Sequence, residues 1–260
     1  MIVHGRLRNA KDYFATGNEL VNKAGAAGQG TVVVAPQLLN QVDVTKYKRP
    51  KRYLRWDRDW EQGNRAQGPS QASSYDVLDD VVAKLSNATA FPELRRIVFV
   101  GHGGGAQMLA RYAVVMRSQP GPAVSFVFAN PGTYLYLTAT RPVPLPCPDV
   151  NNWKYGLSSP PPYVGDLGKL LKDFAARDIT LLLGENDKKV TPILDQSCEA
   201  NTQGRNRIER GRYFVDALTA SGLAPLFKHA ILKGIGHKER EMLTSPQALN
   251  AIFATGNAVR

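Results

Sequence analysis

Short apolar, β-branched runs alternate along the chain with stretches whose apolar positions recur every three or four residues, which is the pattern of strands separated by amphipathic helices. The runs predict strands at 2–4, 31–35, 96–100, 124–129, 179–183 and 228–232. The periodic stretches predict helices at 9–23, 74–86, 104–117, 166–176, 203–220 and 246–254. Such alternation specifies an α/β fold, a mostly parallel sheet with helices on both faces. Asn9 and Ser74 are the expected helix N-caps, because their side-chain oxygens can accept from unpaired first-turn amides. Segments 36–73 and 130–165 lack periodicity, and loops of that length usually form lids or binding walls. The second holds Pro142, Pro144, Pro146, Pro148 and Pro160 to Pro162, which stiffen the backbone against helix and central strand. No linker or charge block divides the chain, so residues 1–260 are read as one domain with these loops as pocket walls.

Residues 97–107 carry the strongest local signal. Ile97-Val-Phe-Val runs into Gly101-His102-Gly103-Gly104-Gly105 and on into a helix. A strand, a glycine-dense turn and a helix make the elbow on which G-x-S-x-G enzymes display a serine nucleophile, and Gly103 stands in the serine's place. The same run fits the dinucleotide fingerprint as Gly101-x-Gly103-x-x-Ala106. That motif needs an acid at the end of the next strand, where this chain has Asn130-Pro131.

Three further groups follow strand ends, where ligands collect in open parallel sheets. They are His4-Gly5-Arg6, Asp187 in Gly184-Glu-Asn-Asp, and His237 in Gly234-Ile-Gly-His-Lys. Glu185 and Asp195 compete with Asp187 as the carboxylate that orients the histidine. His102 reads as structural at the variable position of the turn, and His229 as a packing or surface residue of a strand. Tyr134 and Tyr136, with Trp153 and Tyr155, read equally as pocket lining or as core.

Turn first, acid second and histidine last is the chain order of an α/β-hydrolase triad. Segments 3–14, 101–113, 130–137, 153–157, 194–207 and 234–238 together resemble a microbial branch of the α/β-hydrolase superfamily over nearly the whole chain. The resemblance implies His237 as general base, Asp187 as its orienting carboxylate, and the backbone N–H groups of Arg6 and Gly104 as an oxyanion hole. Gly5, Tyr134 and Trp153 are taken as candidate substrate contacts, and the resemblance puts Gly103 where the family carries serine. Glycine offers neither hydroxyl nor thiol for acyl transfer. The family also places two strands before the His-Gly strand, and the fold is expected to lack them. That would leave the edge from Thr31 to Ala35 open, to be covered by another chain, as in a homo-oligomer, or by an omitted segment.

Charge and cysteines change the picture only in places. The formal charge of +11 comes from 33 Lys and Arg against 22 Asp and Glu. Lys46, Lys48, Arg49, Lys51, Arg52, Arg55 and Arg58 cluster among Tyr47, Tyr53, Trp56 and Trp60. Basic residues among aromatics can track a nucleic-acid strand, but no nucleic-acid fold signature accompanies them, so a solvated loop beside a pocket is expected. Cys147 and Cys198 lack metal-site spacing and are read as either a disulfide or two idle thiols, with a lean to the disulfide. No metal, cofactor or membrane span is expected. As written the chain reads as cytoplasmic, and as secreted if an amino-terminal signal has been left out.

Three functions follow. The first is a hydrolase-fold protein that binds or acts on an ester, lactone or amide, with an anionic one weakly favoured by charge, and whose nucleophile has been lost by natural change or by engineering. The second is a non-hydrolytic or water-attack enzyme that uses only the His237–Asp187 pair. The third is a non-catalytic binding protein that works through the basic loop and the open edge.

Overall fold

The computed structural model describes residues 1–48, 52–57, 59–117, 120–224 and 226–254. In chain order the elements are β1 (Ile2–Val3), α1 (Ala10–Lys23), α2 (Gln41–Lys46), α3 (Ser74–Leu85), β2 (Arg96–His102), α4 (Gly104–Val115), β3 (Ala123–Ala129), α5 (Leu167–Ala175), β4 (Asp178–Gly184), α6 (Cys198–Asn201), α7 (Arg207–Ser221), β5 (Phe227–Leu232), α8 (Glu239–Leu243) and α9 (Pro246–Phe253). The five strands form one parallel sheet in the order β1-β2-β3-β4-β5. All strands therefore end on one side, and every loop that follows a strand opens there.

Alternation along the strands explains why both faces are covered. Phe99, Phe126, Phe128, Leu181 and Leu183 point into one core with α3, α4, α5 and α7. Val100, Val127, Ala129 and Leu182 point into a second core with α1, α8 and α9. Side chains of successive strand residues face opposite ways, so a continuous apolar run buries both faces of a parallel sheet.

The structure corrects several readings. Residues 31–35 do not form a strand. Val34 O accepts one hydrogen bond from Ile2 N at 2.8 Å, and Val32 is 64% exposed. The segment is bounded by Gly30 at φ +74° and by Pro36, and it runs beside β1 without building a ladder. Strand β1 stops at Val3, one residue short of His4. The helix expected over 203–220 begins only at Arg207, as α7. Gly204 takes φ +128°, and Asn206 caps α7 by accepting from Glu209 N. The N-cap of α3 is Ser73, in a capping box with Asp76, whereas Ser74 Oγ donates to Trp60 O. Asn9 holds the N-cap position of α1 but its side chain donates to Asp12 instead of capping. Helices α2 and α8, six and five residues long, are too short for periodicity to reveal.

The basic cluster also loses its stacking platform. Trp56 and Trp60 are buried at 2% exposure and belong to the core, while Tyr47 and Tyr53 stay exposed. Arg49, Lys51 and Arg58 lie outside the described residues. Cys147 and Cys198 are joined as a disulfide, which pins the proline-rich segment to the start of α6. Among the described residues no helix is long and apolar enough to cross a membrane.

Candidate active site

Gly103 occupies the turn between β2 and α4 with φ +55° and ψ −112°, a backbone conformation that side chains adopt only under strain. Its N–H donates to Ala129 O at the end of β3, and its carbonyl accepts from Gln107 N one turn into α4. The glycines on either side let the turn be tight. A Cβ on Gly101 would lie 2.6 Å from Gly105 C, and one on Gly105 would lie 2.2 Å from Val3 O. Both strand-to-helix contacts are backbone against backbone, which only glycine permits.

Asp187 sits in the turn after β4 and is 2% exposed. Its Oδ2 accepts from His237 Nδ1 at 2.7 Å. That bond commits the Nδ1 proton to the carboxylate and leaves the lone pair of Nε2 for the other side of the ring. The other side is position 103, because a Cβ built on Gly103 would lie 3.5 Å from His237 Nε2. The competing carboxylates are engaged elsewhere. Glu185 accepts from Gly234 N. Asp195 pairs with Lys154 at 2.8 Å and accepts from Tyr155 Oη. Burial alone would raise the Asp195 pKa, but Lys154 and these hydrogen bonds hold it well below the usual carboxylate range.

Two residues that the sequence did not single out hold the pair in place. Asn130, at φ +48° and buried, accepts from Gly184 N at 2.8 Å and donates to Gly236 O at 2.9 Å. It thereby ties the end of β4 to the loop carrying His237. Arg207 reaches Asp187 Oδ1 from the start of α7 at 3.6 Å. The only hint of Asn130 in the sequence was its place at the end of a strand.

Arg6 and Gly104 meet on the opposite side of the turn. A Cβ on Gly104 would lie 3.1 Å from Arg6 N. As the first residue of α4, Gly104 has an N–H with no acceptor inside the helix. The Arg6 side chain turns away to Glu61, at 2.7 Å and 3.1 Å, and to Ile193 O at 2.9 Å. Gly5 packs under Tyr13, whose Oη would lie 2.9 Å from a Cβ there. His102 is buried, with Nδ1 3.2 Å from Tyr13 Oη and its ring 4.5 Å from that of His237. Burial, and then the nearby His237 and Arg207, hold the His102 pKa well below the usual histidine value, so it stays neutral.

A cavity of about 150 Å³ opens beside Gly103 and His237, with Gly5, Arg6, Gly104 and Gln107 also on its wall. Tyr134 and Trp153 do not line it. Tyr134 is 1% exposed and stacks on Phe214 at 4.4 Å, and Trp153 packs against the core and donates to Gln62 O. Among the described residues of the two long loops only Gly132 reaches the cavity, and the wall comes instead from Ile193, Asp195 and the approach to α1. Among the described residues no group of three or more His, Cys, Asp or Glu side chains could hold a metal ion.

His4 supports the site from below and carries a pH prediction. Its Nε2 accepts from Leu38 N and its Nδ1 donates to Gly5 O, under an edge contact from Trp60. Burial outweighs the Gly5 hydrogen bond and lowers its pKa from 6.5 to about 4. The folded state thus binds this proton less readily than the unfolded chain. Its contribution is whole above the unfolded value and is lost as pH falls toward the folded one. A shift of this size corresponds to about 3 kcal/mol. Urea unfolding should show that loss between about pH 7.5 and pH 4, and His4→Gln should flatten the profile by a similar amount. An unchanged profile in the variant would assign the acid sensitivity to other groups.

The parallel sheet covered on both faces, with an acid–histidine pair meeting a strand–turn–helix elbow at the strand ends, has the α/β-hydrolase fold. Solved structures agree. The poly(3-hydroxybutyrate) depolymerase LpqC from Bordetella parapertussis superposes with a TM-score of 0.65 at 23% identity, over 93% of this chain and 74% of that one. Poly(aspartic acid) hydrolase-1 from Sphingomonas sp. KT-1 superposes with a TM-score of 0.67 at 22% identity, over 97% of this chain and 86% of that one. No protein-family model and no curated protein sequence matches the chain.

Proposed function

We propose that this chain is a hydrolase scaffold that binds a carbonyl compound, an ester, lactone or amide, at Gly103 and lacks the nucleophile for acyl transfer. One observation carries the reading. Gly103 holds the strained conformation of a nucleophile elbow, and a side chain there would begin 3.5 Å from the free nitrogen of His237. A serine hydroxyl at that point would lie within reach of a base already oriented by Asp187. In this reading the N–H groups of Arg6 and Gly104, which stand side by side, receive the carbonyl oxygen, a contribution of about 3 kcal/mol per donor in enzymes that use one. The names of the two solved structures, a depolymerase and a hydrolase, support the same class of chemistry. The test is Gly103→Ser, assayed with 4-nitrophenyl esters and a fluorophosphonate label.

A second reading draws on the space left by the missing side chain. The volume over Gly103 is bounded by His237 Nε2 at 3.5 Å and Cε1 at 3.6 Å from the Cβ position. A water molecule held there would sit beside a general base, and the same N–H groups would stabilise an oxyanion formed by its attack. Any slow hydrolysis by the unmodified chain should then fall ~100-fold or more in His237→Ala, the usual scale of a general base. Hydrolysis that survives this change would rule the dyad out.

A further inference from the structure

Two largely buried side chains on the cavity wall, Arg207 and Gln107, keep N–H groups that open on the cavity and meet no acceptor within hydrogen-bond length among the described residues. The Arg207 side chain is 5% exposed, and its one anionic neighbour, Asp187 Oδ1, stands at 3.6 Å, beyond hydrogen-bond length. Among the described residues its guanidinium makes no hydrogen bond, although it carries five N–H groups in a planar fork. Gln107 is 4% exposed. Arg111 Nη2 donates to Thr133 Oγ1 at 2.8 Å, so the threonine hydrogen goes to Gln107 Oε1, at 2.6 Å. This fixes the amide with its Nε2 on the cavity side, toward Gly132.

The remaining charges near this wall are already committed. Asp187 is held by His237, Arg6 by Glu61, and Asp195 by Lys154. The carboxylate of Glu239, which also lines the cavity, is the exception. Apart from it, what is left over is donor capacity: a cationic fork and an amide, both on the lining of one small cavity. Donors that open on a cavity take an acceptor from whatever fills it, and a carboxylate satisfies the most donors per group.

We propose that Arg207 and the Gln107 amide form a carboxylate subsite. The carbonyl compound bound at Gly103 then carries a carboxylate on a short acyl chain, as the half-ester of a dicarboxylic acid does. The volume of about 150 Å³ leaves room for a spacer of only a few carbons. This inference deepens the carbonyl-binding reading and rests on it for the position of the reacting group.

The test compares monomethyl succinate with its uncharged counterpart methyl butyrate. Titrated by NMR into the unmodified chain, monomethyl succinate should bind at least about tenfold more tightly, the scale of one charge-assisted hydrogen-bonded contact. Arg207→Gln should erase that preference, and Arg207→Lys, which keeps the charge but loses the fork, should keep part of it. Should Arg207→Gln fail to fold, Gln107→Glu supplies the second variant: a carboxylate set into the subsite should reverse the preference. Equal affinities in the unmodified chain, or a preference untouched by folded variants at both positions, would overturn the subsite. In the Gly103→Ser protein the matching comparison is mono-4-nitrophenyl succinate against 4-nitrophenyl butyrate. Equal kcat/KM for the two would uphold the hydrolase reading and refute the subsite. No hydrolysis of either, with an Arg207-dependent binding preference intact, would uphold the subsite and refute the hydrolase reading.

Discussion

Gly103→Ser is expected to convert the chain into an active esterase, raising turnover of 4-nitrophenyl butyrate by several orders of magnitude. In the proposed reading His237 is the base, Asp187 its orienting carboxylate and the Arg6 and Gly104 amides the oxyanion donors, and all of them surround the position. What is absent is the atom that attacks, and removing that atom from a serine hydrolase costs ~10⁶ in turnover. The new hydroxyl would meet a lone pair, since Nδ1 of His237 holds its proton against Asp187. A stability cost should accompany the gain. Serine at φ +55° and ψ −112° adds about 1–3 kcal/mol of backbone strain that glycine avoids, so the variant should unfold at lower denaturant than its parent. Fluorophosphonate labelling at residue 103, lost again when His237→Ala is added, would show that the serine works through the histidine. A folded Gly103→Ser protein that neither labels nor hydrolyses would defeat the hydrolase reading.

The second large effect concerns stability. Gly105→Ala should destabilise the fold by ~3 kcal/mol or more, the upper range for overpacking a tight core. The added methyl would stand 2.2 Å from Val3 O and 2.7 Å from His4 O. Neither oxygen can retreat, because Val3 is fully buried in β1, where it registers with Gly101 of β2. Any relief would push α4 away from β1 and separate the Arg6 and Gly104 amides. Gly165→Ala is the control, since nothing lies within 4 Å of a Cβ there, and it should stay within about 0.5 kcal/mol of the parent. Denaturant titration of the two variants checks the contrast. Equal midpoints would mean that the β1–α4 contact yields more easily than its backbone atoms suggest.

Much of the site was legible in the chain because its signals are local. A glycine turn between an apolar strand and a helix reads the same in sequence and in space, and so does a histidine between glycine and lysine after a strand. The choice among Glu185, Asp187 and Asp195 was not legible. Three carboxylates lie within eleven residues, and only the fold shows that Gly234 and Lys154 claim the other two. Tyr134 was ambiguous for a similar reason. An aromatic after a strand can face a pocket or a core, and Phe214, eighty residues later, decides for the core. Residues 31–35 misled because three consecutive valines have strand propensity, while pairing requires a partner along their whole length.

The alternation of strands and helices, the two apolar faces of the sheet and the glycine turn after β2 were determined by the sequence alone, since each depends on neighbours a few residues apart. Only the tertiary structure decided which acid meets His237, that Asn130 ties the end of β4 to the loop carrying His237, and that Arg207 and Gln107 line the same cavity as Gly103. Those residues converge because five parallel strands end on one side of the sheet, so groups up to more than a hundred residues apart come within a few ångströms of one another. Local pattern can place each group at a strand end, but only packing sets the distances between them.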